Sequence, residues 1–489
     1  MRNRTPRFVL VAAFAASFAV LWPHAKPASE EALTTGTEEW PSFRGGPLND
    51  ASRTLETSTG RRPKQWVFKP STWTRGYTPG TGVWSSPSIA KVGERVVLFV
   101  GSYDRNLYAL DAFTGEELWR YTTGGEIFST PAVAEVGGQI LVFFGSAERI
   151  LYALDAGSGA KVWAYQLVDW RYTVGKAHVS SPALFSLDGR KVVLFCWWAH
   201  DPSFAQPLET TEALLLDCVN GERIWQKPFS KSPPSSPCVA ILDGGPRVFV
   251  SARDGNTYCL DGRTGELLWK HTSRGEIVGS AACAFHLDRP IVFVGSRYGE
   301  LHALDAETGT PVWSFKAGHW IDSSPAIVEM AGESFVVFGS HDQTVYCLNA
   351  RTSAIRWRFF TKGDVYSSPA VLHTGQGTLV AIASGDDYLY LLNGLSGREL
   401  KRYRPGRFLW GYRVVGDSIW SSPIAARLNG DWMLFVPFYD GQVHSYSLQE
   451  SRDIVKSHSS YGKVMLFRVA LTALGTLVLI AILFRFGPK

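Results

Sequence analysis

The chain has 489 residues, 45% of them hydrophobic and 19% charged, and a formal net charge of +5. Such a composition supplies a large apolar core and excludes a disordered or fibrous chain. Acidic and basic residues are interspersed, which excludes the one-signed footprint of a nucleic-acid binder.

Arg2, Arg4 and Arg7 precede an apolar stretch over residues 8–22, the profile of an export signal. No A-x-A cleavage site follows, so residues 1–29 are read as a signal peptide or a retained signal anchor. Residues 30–63 contain few aliphatic side chains and read as a linker.

From about residue 64 to 450 one phrase repeats. Trp225, Trp269, Trp313 and Trp357 stand 44 residues apart, and Trp119 and Trp163 close earlier copies, as in LYALDAFTGEELW and LHALDAETGTPVW. The phrase reads as strand, turn, strand. Asp caps its own backbone two residues on, and Gly takes positive φ without steric cost. The β-branched runs before it, such as VVLFVGS, read as strands buried on both faces. A second marker opens each unit: Ser86-Pro87, Thr130-Pro131, Ser181-Pro182, Ser236-Pro237, Ser280-Ala281, Ser324-Pro325, Ser368-Pro369 and Ser422-Pro423.

Eight units of about 44 residues, four short strands each, have the size of propeller blades. The seventh copy carries Lys401 in place of tryptophan, and the eighth lacks a final strand. Residues 65–70, QWVFKP, match that strand. The expectation is therefore an all-β, eight-bladed propeller of four-stranded antiparallel blades, the last closed by an N-terminal strand, which hides two open edges.

After a second linker over residues 451–463, residues 464–484 are almost wholly apolar. At 1.5 Å per residue they reach roughly 31 Å, enough for a bilayer's hydrocarbon core. Residues 464–486 are read as a transmembrane helix. Arg485 and Lys489 follow it, which orients the C-terminus to the cytoplasm and the propeller to the periplasmic side.

The repeated A/C-x-L-D/N-x-x-T/S-G-x-x-x-W phrase resembles the tryptophan-docking repeat of the pyrroloquinoline quinone (PQQ) family, the eight-bladed quinoprotein propellers. That resemblance implies a structural role, packing between blades, for Trp119, Trp163, Trp225, Trp269, Trp313 and Trp357. Residues 40–52, WPSFRGGPLNDAS, also resemble the segment preceding many bacterial propellers of this kind. Dehydrogenases of the family hold the quinone between a tryptophan and a disulfide of adjacent cysteines, beside calcium bound by Glu, Asn and Asp. The six cysteines here are scattered; none is adjacent to another or forms CxxC or CxxCH. Cys259 and Cys347 fill a slot that is alanine in other repeats and read as small core residues.

Three long loops interrupt the regularity: residues 71–84, 169–179 and 404–420. Repeat logic sends all three to one face, the mouth of the central channel. Trp73, Arg75, Tyr77, Trp170, Arg171, Tyr172, Trp410, Tyr412 and Arg413 are the candidate ligand- or partner-binding residues, since such side chains suit protein interfaces and planar or anionic ligands. His178, His319, Trp320 and Asp322 precede the same openings, and an insertion over residues 196–213 adds Trp197, Trp198 and His200. Acidic residues at one repeating hairpin position, Asp104, Asp254, Asp342, Asp386, Asp387 and Asp440, are explained by turn chemistry; no metal site is expected.

No hydrolase, nucleotide or zinc motif is present. The reading is a non-catalytic, membrane-tethered scaffold that binds envelope proteins as a monomeric propeller without catalytic residues or cofactor. Its alternatives are a PQQ- and calcium-dependent dehydrogenase with an atypical pocket, and a sensory or carbohydrate-binding ectodomain.

Overall fold

A computed structural model describes residues 52–70, 83, 85–167, 177–201, 208–230, 232, 234–285, 287, 289–375, 377–404, 421–438 and 441–448. They build eight sheets of antiparallel four-stranded blades, one of which gains a parallel strand. Blade 1 comprises Ser88–Val92, Arg95–Gly101, Asn106–Asp111 and Glu117–Thr122, innermost to outermost, and blades 2, 4, 5, 6 and 7 repeat that order. The second and third strands are buried almost throughout, as VVLFVGS-type runs demand, whereas the fourth alternates exposed and covered residues.

The turn between third and fourth strands follows from its sequence. Asp111 Oδ1 accepts the Phe113 and Thr114 N–H groups at 2.9 and 3.0 Å, and Gly115 N–H returns to the Asp111 carbonyl at 2.8 Å. Just beyond the turn the pairing slips by one residue, and this bulge sets Trp119 opposite Ala109. Cys259 and Cys347 occupy the same slot, facing Trp269 and Trp357, where only a small side chain leaves room for the ring.

Each tryptophan then reaches the next blade. Indole Nε1 of Trp119 donates to the Ala156 carbonyl at 3.1 Å, Trp163 to Cys218 at 2.9 Å, Trp225 to Gly262 at 3.2 Å, Trp269 to Ala306 at 3.1 Å, Trp313 to Ala350 at 3.1 Å and Trp357 to Gly394 at 2.7 Å. The acceptor always lies in the neighbour's Asp-x-x-Thr-Gly turn, 37 or 55 residues on. The turn glycine lies under the ring, so a Cβ at Gly397 would stand 2.6 Å from the Trp357 indole.

Closure comes from the N-terminal side, as QWVFKP suggests. Val67–Phe68 pairs with Val443–Ser447 as the outermost strand of blade 8, and Trp66 Nε1 donates to the Ala112 carbonyl of blade 1 at 3.0 Å. This connectivity explains Lys401. A tryptophan in blade 7 would dock on the third-to-fourth turn of blade 8, and there the two chain ends meet instead of a turn. Tyr403 packs on Tyr446 across that junction, ring centroids 4.7 Å apart.

Two blades gain a strand that patterning does not reveal. Ser52–Leu55, within the stretch read as linker, pairs in parallel with Ile424–Leu428 on the axial edge of blade 8. The insertion at residues 196–213 lengthens the central hairpin of blade 3 to Arg190–Asp201 and Leu208–Asp217, and Ala177–Val179 pairs with its end. Among the described residues no helix is long and apolar enough to cross a membrane; residues 464–484 lie outside them.

Candidate functional site

The hydroxyl pair that opens each unit divides its work. The first hydroxyl braces its own blade: Ser85 Oγ accepts the Gly101 N–H at 2.8 Å and donates to the Gly101 carbonyl at 3.1 Å, and Ser129 with Gly145 and Ser367 with Ala383 repeat the bridge. In blade 5 this position is Gly279, where a Cβ would stand 3.0 Å from the Ser323 carbonyl.

The second hydroxyl joins blades. Ser280 N–H donates to Ser324 Oγ at 2.8 Å, Ser324 N–H to Ser368 Oγ at 2.9 Å, Ser368 N–H to Ser422 Oγ at 3.0 Å, and Ser422 N–H to Ser86 Oγ at 3.2 Å. The last bond crosses between the two ends of the propeller. This buried ring surrounds a cavity of about 280 Å³ on the axis.

Two further positions surround the ring. The residue before each hydroxyl pair contributes Phe128, Pro234, Val278, Asp322 and Tyr366 to the wall. The residue two places after the braced position, at the tip of the second-to-third hairpin, is Tyr103, Arg253, Arg297 and His341 on blades 1, 4, 5 and 6. The columns meet on blades 5–7. Arg297 clamps Asp322 through Nε at 3.0 Å and a terminal nitrogen at 2.9 Å, and its other nitrogen holds Glu276 at 2.8 Å. His341 Nε2 lies 3.3 Å from Asp322, and its ring meets Tyr366 edge-on at 4.3 Å. Tyr366 donates to Asp364 at 3.0 Å. His319 stacks on His341 at 5.9 Å, and Trp320 lies under the Arg297 guanidinium at 5.1 Å.

The electrostatics are those of a tied cluster. Burial opposes ionisation of Asp322, but His341 and Arg297 outweigh it and hold the carboxyl below its ordinary range. Asp322 in turn holds Arg297 more firmly charged, and burial with the Asp364 bond pushes Tyr366 up to about 12. Blades 1–3 carry an aromatic arc instead. Tyr103 meets Phe128 at 4.7 Å, Phe128 stacks on His178 at 6.0 Å, and His178 lies 6.2 Å from Trp198. Arg253, exposed on blade 4, has no hydrogen-bond or ion-pair partner among the described residues.

Of the residues predicted from sequence, His319, Trp320 and Asp322 come together, while His178 and Trp198 belong to the other arc and Trp197 is buried in the core between blades 2 and 3. Trp73, Arg75, Tyr77, Trp170, Arg171, Tyr172, Trp410, Tyr412 and Arg413 all lie outside the described residues. Arg297, His341, Tyr366 and Phe128 escaped sequence reasoning. Their signal is positional, one column before the hydroxyl pair and one after the Gly-Ser step.

A family model described as "Outer membrane protein assembly factor BamB" matches residues 34–236, 209–284 and 259–404. The chain belongs to this PQQ-like repeat family. Comparison with curated protein sequences finds no match. Among solved structures the chain is similar to a europium-containing methanol dehydrogenase, with 12% identity and a TM-score of 0.61 over 84% of this chain and 92% of that one. It is also similar to BamB from Moraxella catarrhalis, with 18% identity and a TM-score of 0.51 over 74% and 96%. Sqt1 of Saccharomyces cerevisiae gives 11% identity and a TM-score of 0.55 over 76% and 96%. At these identities the likeness shows the fold, and one propeller of the family serves both enzymes and scaffolds.

The quinone and calcium of the family's dehydrogenases can be tested against the described lining. All six cysteines are buried thiols outside any disulfide, and none lines the cavity. Burial pushes the Cys238 and Cys259 thiols up to about 12. The carboxylate on the wall, Asp322, is already engaged by Arg297 and His341. Among the described residues no cluster of His, Cys, Asp and Glu has metal-binding geometry. The described residues do not fit that group.

The acidic hairpin residues act locally. Asp342 accepts the Thr344 N–H at 3.0 Å and the Tyr346 hydroxyl at 2.7 Å, and it also receives Gly318 N–H from the blade before at 2.7 Å. Asp254 and Asp386 make equivalent bonds to Tyr258 and Tyr390.

Proposed function

We propose that the protein is a non-catalytic scaffold, tethered to a bacterial membrane with its propeller on the extracytoplasmic side, whose envelope-protein partners dock on the channel mouth. The observation that carries this reading is the division of labour at the rim. Among the described residues the second hydroxyls build the ring, and Asp322, the carboxylate on the wall, is held by Arg297 and His341, so these polar groups serve the fold. The outward side chains are those that anchor protein interfaces: Trp320 is 42% exposed, and Arg253 is an exposed cation without a partner among the described residues. The apolar stretches over residues 8–22 and 464–484 support the tether.

Crosslinking in intact envelopes tests the proposal. Partner capture by the wild-type chain should be lost in a Trp320→Ala, Arg253→Glu variant, and weakened when Arg75, Arg171 and Arg413 are replaced together. Undiminished capture by both variants would remove the mouth from consideration. A calorimetric titration with PQQ and calcium addresses the dehydrogenase alternative, since tight, calcium-dependent binding would replace the scaffold reading.

A further inference from the structure

The face opposite the mouth bears the Asp-x-x-Thr-Gly turns, and the chain also leaves from it. Leu448 N–H donates to the Trp432 carbonyl at 3.0 Å, as Ala112 N–H donates to Val96 at 2.9 Å in blade 1. The described chain therefore ends, at Leu448, in the turn position of blade 8, and 15 residues, 449–463, separate it in sequence from the apolar stretch that starts at 464. The adjoining turns of blades 6 and 7 expose Ile355, Leu395 and Leu400 at 40%, 46% and 49%. Arg356 Nε donates to the Leu395 carbonyl at 3.2 Å and joins the two turns into one surface.

Ion pairing varies around this face. On blades 1–4 several turn cations meet acids, Arg61 with Asp111, Arg247 with Asp261, Arg263 with Asp188 and Lys227 with Glu266, while exposed Arg95, Lys161 and Arg190 have no ion-pair partner among the described residues. Arg398, Arg62 and Lys64, exposed around the chain's exit, have no ion-pair partner among the described residues. The acids nearby are exposed Glu56, Glu116 and Glu333, Glu94, which accepts from Ser58, and Glu399, which Arg402 engages at 3.2 Å. Exposed aliphatic side chains among unpaired cations are the composition that binds the interface of an anionic bilayer.

We infer that the turns of blades 6 and 7, with the crossing at Arg62 and Lys64, form a membrane-contact face. Leu395 and Leu400 enter the interfacial zone, and Arg356, Arg398, Arg62 and Lys64 meet lipid phosphates. The inference rests on the tethered reading above and adds an orientation to it: the propeller lies on its turn face, and the mouth points away from the bilayer toward partners. A 15-residue connection extends to about 50 Å at most, so it permits this contact without enforcing it.

The six native thiols are buried, so an environment-sensitive dye can be placed on a single surface cysteine. Ser396→Cys and Ser158→Cys occupy the same turn position on blades 7 and 2, and each hydroxyl caps an equivalent Asn393 or Asp155. The full chain is reconstituted in vesicles of phosphatidylglycerol or of phosphatidylcholine alone. A blue-shifted emission is expected at residue 396 and not at 158, in phosphatidylglycerol above all, and reversed by Arg356→Glu with Arg398→Glu or by high salt. Equal emission at both positions, or a shift at 396 only when another envelope protein is added, overturns the contact face. Carbonate extraction separates the two readings. A chain released by carbonate refutes the tether itself, whereas one that is retained without a shift at 396 refutes the orientation alone.

Discussion

His302 stands where five other blades carry a tyrosine, and the exchange alters both ends of a conserved pairing within the chain. Tyr108, Tyr152, Tyr258, Tyr346 and Tyr390 each donate to an acid four residues earlier, at 2.5–2.7 Å. In blade 5 that acid is replaced by Tyr298, and His302 faces His271 at a ring distance of 5.4 Å. Burial and the neighbouring imidazole lower the His302 pKa to about 4, against 6.5 for the unfolded chain. Between these values the unfolded state binds the extra proton, so folding stability falls as the pH drops from about 6.5 to 4. The melting temperature should follow that course, and Tyr298→Asp with His302→Tyr, which rebuilds the pair, should flatten it. His271, lowered in the same direction, leaves a residual slope; an unchanged slope would mean that His302 is not the group responsible. Asp322 offers a second test at this scale. Asp322→Asn leaves the Arg297 guanidinium half-satisfied and should cost about 2 kcal/mol of unfolding free energy in denaturant titration. A cost below about 0.5 kcal/mol would place the cluster with ordinary surface pairs.

At the scale of the element, the turn under each tryptophan couples backbone conformation to packing between blades. Six of these turns carry glycine with φ near +70°, but blade 6 carries Ser353 at φ +60°. A left-handed non-glycine residue is strained by roughly 1–2 kcal/mol, partly offset by the entropy glycine loses. Ser353→Gly should therefore raise stability by about 0.5–1 kcal/mol, while Gly397→Ala, which drives a Cβ into the Trp357 ring, should lower it by more than that. Gly93→Ala is the control, since its φ is +59° but nothing lies within 4 Å of the added carbon. If Gly93→Ala and Gly397→Ala cost the same, the ring contact contributes nothing. This element is also where the sequence was most legible. Asp, Gly and Trp at fixed offsets each answer a local physical need, so blade number, turn and closing strand could be read directly. The site was legible only in part. Asp322, His319 and Trp320 precede an opening motif and so drew notice, but their partners Arg297 and His341 sit at hairpin tips of blades 5 and 6, about 20 to 25 residues away in the chain, and only the packing of the two consecutive blades brings them together. Ser52–Leu55 escaped because four residues with alternating polarity in a polar stretch give no periodic signal; their partner strand lies more than 370 residues away.

For the whole molecule, stability depends on the junction that closes the ring. Seven tryptophans staple one blade to the next, but Trp66 alone sits on a strand whose covalent neighbours belong to another part of the chain. Within blades, the outermost strand is held by a short hairpin turn and returns to place after any local opening. Val67–Phe68 has no such hairpin, and its pairing with Val443–Ser447 must be recovered across the entire length of the propeller, at the loop-closure cost of some 370 intervening residues. Trp66→Ala and Trp269→Ala remove the same ring and the same indole bond, and each should cost about 3–5 kcal/mol on the scale of large-to-small core changes. Their consequences should nevertheless diverge. Loss of Trp269 loosens one closed interface, whereas loss of Trp66 frees the crossing at Arg61, Arg62 and Lys64 and uncovers the outer edge of blade 8 to other chains. Limited trypsinolysis should cut Trp66→Ala between residues 61 and 64 well before any cut in Trp269→Ala, and light scattering should show association of the former alone. Matching digestion patterns would mean that the ring opens at any blade with equal ease, and that the N-terminal strand is one staple among equals.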